Sequence, residues 1–322
     1  MAEDYTYIVA RLRSLEALSP ERAWFERLAR TPGENLLGAL REHYRGFEAV
    51  SSPAEFERAL EIEKRSFLEL VTGLLQDERA RQFIRSGYDF DNCTHAWKAA
   101  KLGARVSLTP FGLFPARDVE ETVAGKARGV LSPSLEAHLA ALDARYEETK
   151  SLAACEYAGE AAKWRFLFEI APGEDAAAYL GCRIDLINVK NCIRFRRSAL
   201  RAESLDAVWI EGGGIETARF RSFVREGEEE LLSYLATSMH ARLARLGLSR
   251  DVPLWKIDPI MRRALMEFLG ESRYRFFDFS PVLYHIELGE RDFETVRRIV
   301  VSRLNRLSEE TTLERLGVGL AS

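Results

Sequence analysis

The feature that most constrains this chain is a stretch that occurs twice. Tyr88-Asp89-Phe90-Asp91-Asn92-Cys93-Thr94-His95-Ala96-Trp97-Lys98 returns as Ile184-Asp185-Leu186-Ile187-Asn188-Val189-Lys190-Asn191-Cys192-Ile193-Arg194, an interval of 96 residues. Each copy carries an Asp, an Asn three residues on, and a cation nine residues on, Lys98 in one and Arg194 in the other. Apolar or near-apolar residues match before the Asp, directly after it, and four, seven and eight positions further. Recurrence at a fixed interval means a chain built from copies of one unit. A weaker third copy runs from Leu288 to Arg303, where Glu294 and Arg303 keep the nine-residue spacing and Arg297 replaces the Asn. The expectation is three similar units, with bounds 1–110, 111–215 and 216–322, the third degenerate.

Residues three apart share a helix face. Asp and Asn are therefore neighbours, and the cation nine residues on falls on the far side. Gly87 and Gly181 lie just upstream, which fits a helix start or an inter-helix bend. Three readings stay open. The pair can cap free N–H groups and hydrogen-bond between helices. Equivalent pairs from several units can line a shared axis. Or the acids can hold Mg²⁺, which prefers oxygen ligands. The third wants more acids than the second copy offers, since Asp185 is followed by Asn188, Cys192 and Arg196.

The whole chain narrows the class. Its 322 residues allow two or three domains. A hydrophobic content of 47% with 30% charged residues is that of a folded protein and excludes wholesale disorder. The net charge of −4 offers no basic excess for nucleic acid. The five His (His43, His95, His138, His240, His285) are scattered, with no HExxH. The four Cys (Cys93, Cys155, Cys182, Cys192) form no CxxC, and they read as small core residues in a reducing compartment. The acidic start Met-Ala-Glu-Asp-Tyr does not resemble a signal peptide. No uncharged apolar run approaches the roughly 20 residues that cross a bilayer.

Taken in order, the chain reads as helix after helix. Ser19-Pro20, Thr31-Pro32, Ser52-Pro53, Ser132-Pro133 and Ser280-Pro281 punctuate it. A Ser or Thr cap before a Pro at the first helical position is a helix-start signature. Helices are expected from Ser19 to about Arg30, from Leu36 to Phe47, and from Ser52 to about Leu75. Leu108 to Pro115 is turn-rich and marks the first unit's edge. From Ser132, the stripe Leu135, Leu139, Leu142, Tyr146, Thr149, Ala153, Tyr157, Trp164 and Phe168 predicts one amphipathic helix of unusual length, broken at Ala171-Pro172-Gly173. The second motif helix ends in the basic run Arg194 to Arg201. Leu205 to Gly214 is a short extended piece, Val208-Trp209-Ile210, and a Gly-rich connector. It lacks the Lys-Ser/Thr of a P-loop and the GxGxxG of a dinucleotide site. Thr217 to Leu246, Trp255 to Leu269 and the stripe Phe293, Val296, Ile299, Val300, Leu304 are further helices. Sustained alternation is absent, so the fold class is all-α.

These features together resemble the C-type stalk family of the V/A-type ATPases and ATP synthases, known as the d-type component in the eukaryotic vacuolar enzyme. The resemblance is carried along nearly the whole chain by Tyr5, Tyr7, Ala10 and Arg11; by Asp89, Asn92 and Lys98; by Asp143 and Tyr146; by Asp185, Asn188 and Arg194; by the Gly-Gly connector before Ala218-Arg219-Phe220; and by the Arg-rich helix from Glu290 to Arg306. Lys98 stands where the family often has Arg, a point charge in place of a planar fork. The resemblance implies a funnel-shaped, all-helical protein of three units around a pseudo-threefold axis. It also implies no enzyme activity, catalytic residue, cofactor or metal. Such a component is a central-stalk adapter on the cytoplasmic face of the membrane. It joins the membrane rotor ring of proteolipid subunits to the D and F proteins of the central shaft. It passes torque between them, so it meets the membrane only through the complex. A candidate docking face is the basic cluster Arg194, Arg196, Arg197, Arg201, Arg219, Arg221 and Arg225, which brackets one connector; solvated helix faces and internal ion pairs are the alternative. The competing classes are a helical-repeat scaffold for another partner and a Mg²⁺-dependent helical prenyl transferase using Asp89 and Asp91.

Overall fold

The computed structural model describes residues 5–17, 19–197 and 209–320. The fold is all-α: among the described residues there are fifteen α-helices and no strand. In chain order these are α1 (Thr6–Glu16), α2 (Arg22–Arg30), α3 (Leu36–Arg41), α4 (Phe56–Leu74), α5 (Glu78–Leu102), α6 (Ala116–Val123), α7 (Pro133–Thr149), α8 (Leu152–Glu169), α9 (Glu174–Arg197), α10 (Thr217–Glu226), α11 (Glu228–Thr237), α12 (Ala241–Arg245), α13 (Leu254–Gly270), α14 (Ser280–Leu304) and α15 (Glu309–Leu320). The chain divides into two compact units. One joins Met1–Gln76 to Tyr234–Ser322, and the other is Asp77–Ser233.

Caps set several of the helix ends. Ser52 and Glu55 form a capping box before α4: Ser52 accepts from the Ala54 N–H at 3.2 Å, and Glu55 accepts from the Ser51 and Ser52 N–H groups. Ser132 caps α7 with Pro133 at its first position. Asp77 caps α5 by accepting from the Arg79 N–H at 2.8 Å. Gly103, at φ +61, closes the same helix in the left-handed conformation that glycine adopts without steric penalty.

The other three Ser/Thr-Pro pairs do different work. The residue before α2 is Glu21, not Ser19. Thr31 closes α2, and Ser280 lies inside the first turn of α14 after Phe279. The long stripe from Leu135 to Phe168 is not one helix. Lys150 takes φ +50 and its N–H closes α7 on the Tyr146 carbonyl, after which Ser151 caps α8 by accepting from the Ala154 N–H. Helical spacing survives such a break because one left-handed residue costs little chain length, and so apolar positions alone do not reveal it.

Each unit has its own core. In Asp77–Ser233, Phe90, Cys93 and Trp97 of α5 pack with Val119 of α6, Leu135, Leu139 and Leu142 of α7, and Cys155 of α8. Trp97 is fixed further by its indole N–H, which donates to Asp143 at 3.0 Å, and by an edge contact with Tyr146. In the other unit, Phe25, Leu28, Leu40, Phe47 and Leu60 surround Phe293, Val296, Ile299 and Val300 of α14. Burying each such side chain is worth about 1.5–3 kcal/mol. All four cysteines are buried as free thiols, and burial pushes Cys93 and Cys192 up to about 12.

Candidate functional site

The twice-occurring stretch lies mid-helix on α5 and α9, and its Asp and Asn are buried in both copies. Neither pair faces another helix's side chains. Each grips the main chain of the connector that follows. On α5, Asn92 donates to the Thr109 carbonyl at 2.8 Å and accepts from the Thr109 N–H at 2.9 Å. Asp89 accepts from the Leu113 N–H at 2.9 Å and the Phe114 N–H at 3.1 Å. On α9, Asn188 donates to the Ile210 carbonyl at 2.8 Å and accepts from its N–H at 3.0 Å. Asp185 accepts from the Gly214 N–H at 2.9 Å and the Ile215 N–H at 3.0 Å. A primary amide suits one role because it carries a donor and an acceptor side by side, as a neighbouring strand would. A carboxylate suits the other because it accepts twice. Left unpaired in a buried place, each of these main-chain groups would cost about 1–3 kcal/mol.

The two clamps share one register. Thr109 matches Ile210, Leu113 matches Gly214, Phe114 matches Ile215, and the next residue, Pro115 or Glu216, precedes α6 or α10. Each Asp thus holds the two N–H groups just outside the start of the following helix. Glycine is required at Gly112 and Gly213: a Cβ there would lie 2.0 Å from an Asp89 oxygen and 2.1 Å from an Asp185 oxygen. The supports differ. Arg85 donates to the Phe111 and Gly112 carbonyls at 3.0 and 2.8 Å. The matching residue on α9 is Gly181, where a Cβ would lie 3.5 Å from the Gly212 carbonyl. Burial pushes Asp89 up to about 6, against the opposing pull of the Leu113 and Phe114 N–H groups and the Arg85 charge.

The cation nine residues on is separate from the clamp. Lys98 pairs with Glu156 of α8, half-exposed, and Arg194 is exposed. On α14, Glu294 pairs with Arg297 at 2.6 Å, and Arg297 also reaches Glu57 of α4 at 2.8 Å. The buried acid there is Asp292, two residues earlier. Counted from Asp292, the following positions one, four, seven and eight on are Phe293, Val296, Ile299 and Val300, all buried, as are their counterparts after Asp89 and Asp185. Arg303 lies in the last turn of α14. Asp292 accepts from the Arg291 side chain at 2.8 and 3.0 Å instead of from main chain, and burial pushes it up to about 6 as well.

Of the basic cluster, Arg197 makes a two-point contact with Glu228, and Arg219 lies 3.8 Å from Glu230 and over the Phe223 ring. Arg194, Arg196 and Arg225 are exposed. Arg221 lines a cleft of about 510 Å³ with Arg165, Phe168, Trp209 and Glu211. Arg201 lies outside the described residues, as do residues 205–208 of the expected extended piece. Ile210 does present both its main-chain groups to Asn188, as a strand residue would.

The Mg²⁺ reading does not fit this donor set. Both Asp89 oxygens are taken by N–H groups, and Asp91 pairs with Lys163 at 2.9 Å. No group of three or more acid, His or Cys side chains able to hold a metal occurs among the described residues. No helix among them is long and apolar enough to cross a membrane. Buried His138 bonds Thr94 at 2.9 Å and is pushed down to about 4 by burial and by Lys163, a neutral core histidine.

The site and fold thus define a helical protein stiffened by repeated helix-to-connector clamps. The family model described as the ATP synthase (C/AC39) subunit matches residues 8–315, and the chain belongs to that family. A search of curated proteins found no match. The family places this chain among the components of rotary ATPases, as a structural and not a catalytic one.

Proposed function

We propose that the protein is the central-stalk adapter of its rotary ATPase, joining the membrane rotor ring to the shaft formed by the D and F proteins and carrying torque from one to the other. The observation that carries this reading is the family match over residues 8–315. The clamps support it mechanically. A torque-bearing part must not yield where one helix hands over to the next, and at residues 109–114 and 210–215 each handover is tied to a buried Asp and Asn. The adapter works on the cytoplasmic side and meets the membrane only through the ring. A division into repeats at 1–110, 111–215 and 216–322 goes with this reading, supported by the matched registers on α5, α9 and α14. Arg194, Arg196, Arg221 and Arg225, exposed on α9 and α10, form one docking face with Arg197, Arg201 and Arg219.

Co-sedimentation with detergent-solubilised rotor ring, with and without the shaft heterodimer, tests the reading. A ternary complex is expected; binding to neither component contradicts it. Replacing Arg196, Arg197 and Arg201 together with Ala is expected to weaken one of the two contacts, and unchanged affinity for both removes the docking face.

A further inference from the structure

The turn between α13 and α14 holds three aromatic rings out in solvent: Tyr274 at 64% exposure, Phe276 at 39% and Phe277 at 76%. Single exposed apolar residues are ordinary, but three within four residues form a patch. The patch is built on a cation. Arg13, in the last turn of α1, stacks its guanidinium 5.1 Å from the Tyr274 ring centre and 4.5 Å from that of Phe276, and donates to the Arg273 carbonyl at 3.2 Å. Neighbouring Arg273 is neutralised by Glu16 at 3.5 Å and meets the Tyr284 hydroxyl at 3.2 Å. Arg13 has no carboxylate within ion-pair distance among the described residues.

A guanidinium stacked on rings keeps its N–H edge for a carboxylate, and the rings hold that edge in place. Exposed aromatics around an un-neutralised Arg have the composition of an interface anchor, and complementary charge decides what fits. Glu271 and Asp278 edge the same turn. Both would repel an anionic lipid surface, which favours a protein partner. Resting on the adapter reading, we propose that Arg13, Tyr274, Phe276 and Phe277 form a docking site for an acidic, apolar segment of one partner protein of the complex. Its carboxylate meets Arg13 and its apolar residue packs on Phe277.

The test measures affinity of the full chain for solubilised rotor ring and for shaft heterodimer separately. Phe277→Ser and Arg13→Glu are expected each to lower affinity for one of the two by about tenfold or more, leaving the other unchanged, with Arg13→Lys in between. Phe277 is so exposed that its variant keeps the wild-type melting temperature, and it decides the matter alone if Arg13→Glu fails to fold. Wild-type affinity of Phe277→Ser for both probes overturns the site while the adapter reading stands. A wild-type chain that binds neither probe overturns both. Binding to phosphatidylglycerol vesicles that Phe277→Ser abolishes, with both protein affinities intact, overturns the protein partner in favour of a membrane.

Discussion

Asp89 and Asp292 occupy the same register on two long helices. Both are buried, and both are pushed up to about 6 by burial. Asp89 ties down the connector that leads into the next helix, as Asp185 does on α9. Asp292 instead accepts from Arg291 on its own helix, beside Tyr44, whose hydroxyl burial and Asp292 together push up. After α5 and α9 come connectors long enough to fold back over the helix; after α14 the chain reaches α15 within a few residues. The helix is the constant element of the pattern inside this chain, and the available connector decides what its acid holds.

That contrast can be broken at several points. The largest effect is expected from Gly213→Ala or Gly112→Ala, which drive a methyl group into a clamp carboxylate. Each is expected to destabilise the fold by about 3 kcal/mol or more, read from the urea midpoint. The matching change on α14, Gly289→Ala, meets the ring of Phe67 at 2.6 Å instead, a side chain with room to turn, and is expected to cost less.

Next comes Asn188→Ala. It orphans both main-chain groups of Ile210 and is expected to cost about 2–4 kcal/mol in the same measurement. Asn92→Ala is expected to fall somewhat below it, because the connector at Thr109 is partly open to water.

The two raised acids give a pH signature of one sign. Between about pH 4 and pH 6 the folded protein holds protons on Asp89 and Asp292 that the unfolded chain has released. Stability conferred by these groups is therefore greatest below about pH 4 and falls as pH rises through about 6. Asp292→Asn is expected to flatten that fall, by up to about 3 kcal/mol, without loosening any connector. An unchanged slope in urea melts across the window would remove Asp292 from the account. The smallest effect belongs to the cation nine residues on. Lys98→Ala breaks a half-exposed pair with Glu156 and is expected to cost under about 1 kcal/mol.

Much of this architecture is legible in the residues, and the remainder is hidden for physical reasons. Periodicity marks the helices, and the Asp–Asn spacing marks a shared face on α5 and α9. What that face holds is not legible, because main-chain N–H and C=O groups carry no sequence signature. The connectors hid their kinship too. Asn92 reaches 17 residues ahead but Asn188 reaches 22, so aligning the helices does not align the loops. Setting Thr109-Pro110-Phe111-Gly112 against Ile210-Glu211-Gly212-Gly213 exposes the shared glycine, the one signal available beforehand. On α14 the nine-residue spacing favoured Glu294, whereas burial selects Asp292, because acid-to-cation spacing says nothing about which acid points inward. Lys150 split an apparently continuous stripe for a similar reason: a single left-handed residue leaves the apolar rhythm intact.

The central claim is mechanical coupling, and assembling the rotary complex with and without this chain tests it most directly. ATP hydrolysis and ATP-driven ion uptake are measured on the same reconstituted vesicles. Coupling through this chain predicts that its omission leaves hydrolysis by the catalytic part running while ion uptake is lost, and that adding the purified chain restores uptake. Ion uptake that proceeds at the full rate without it would contradict the account.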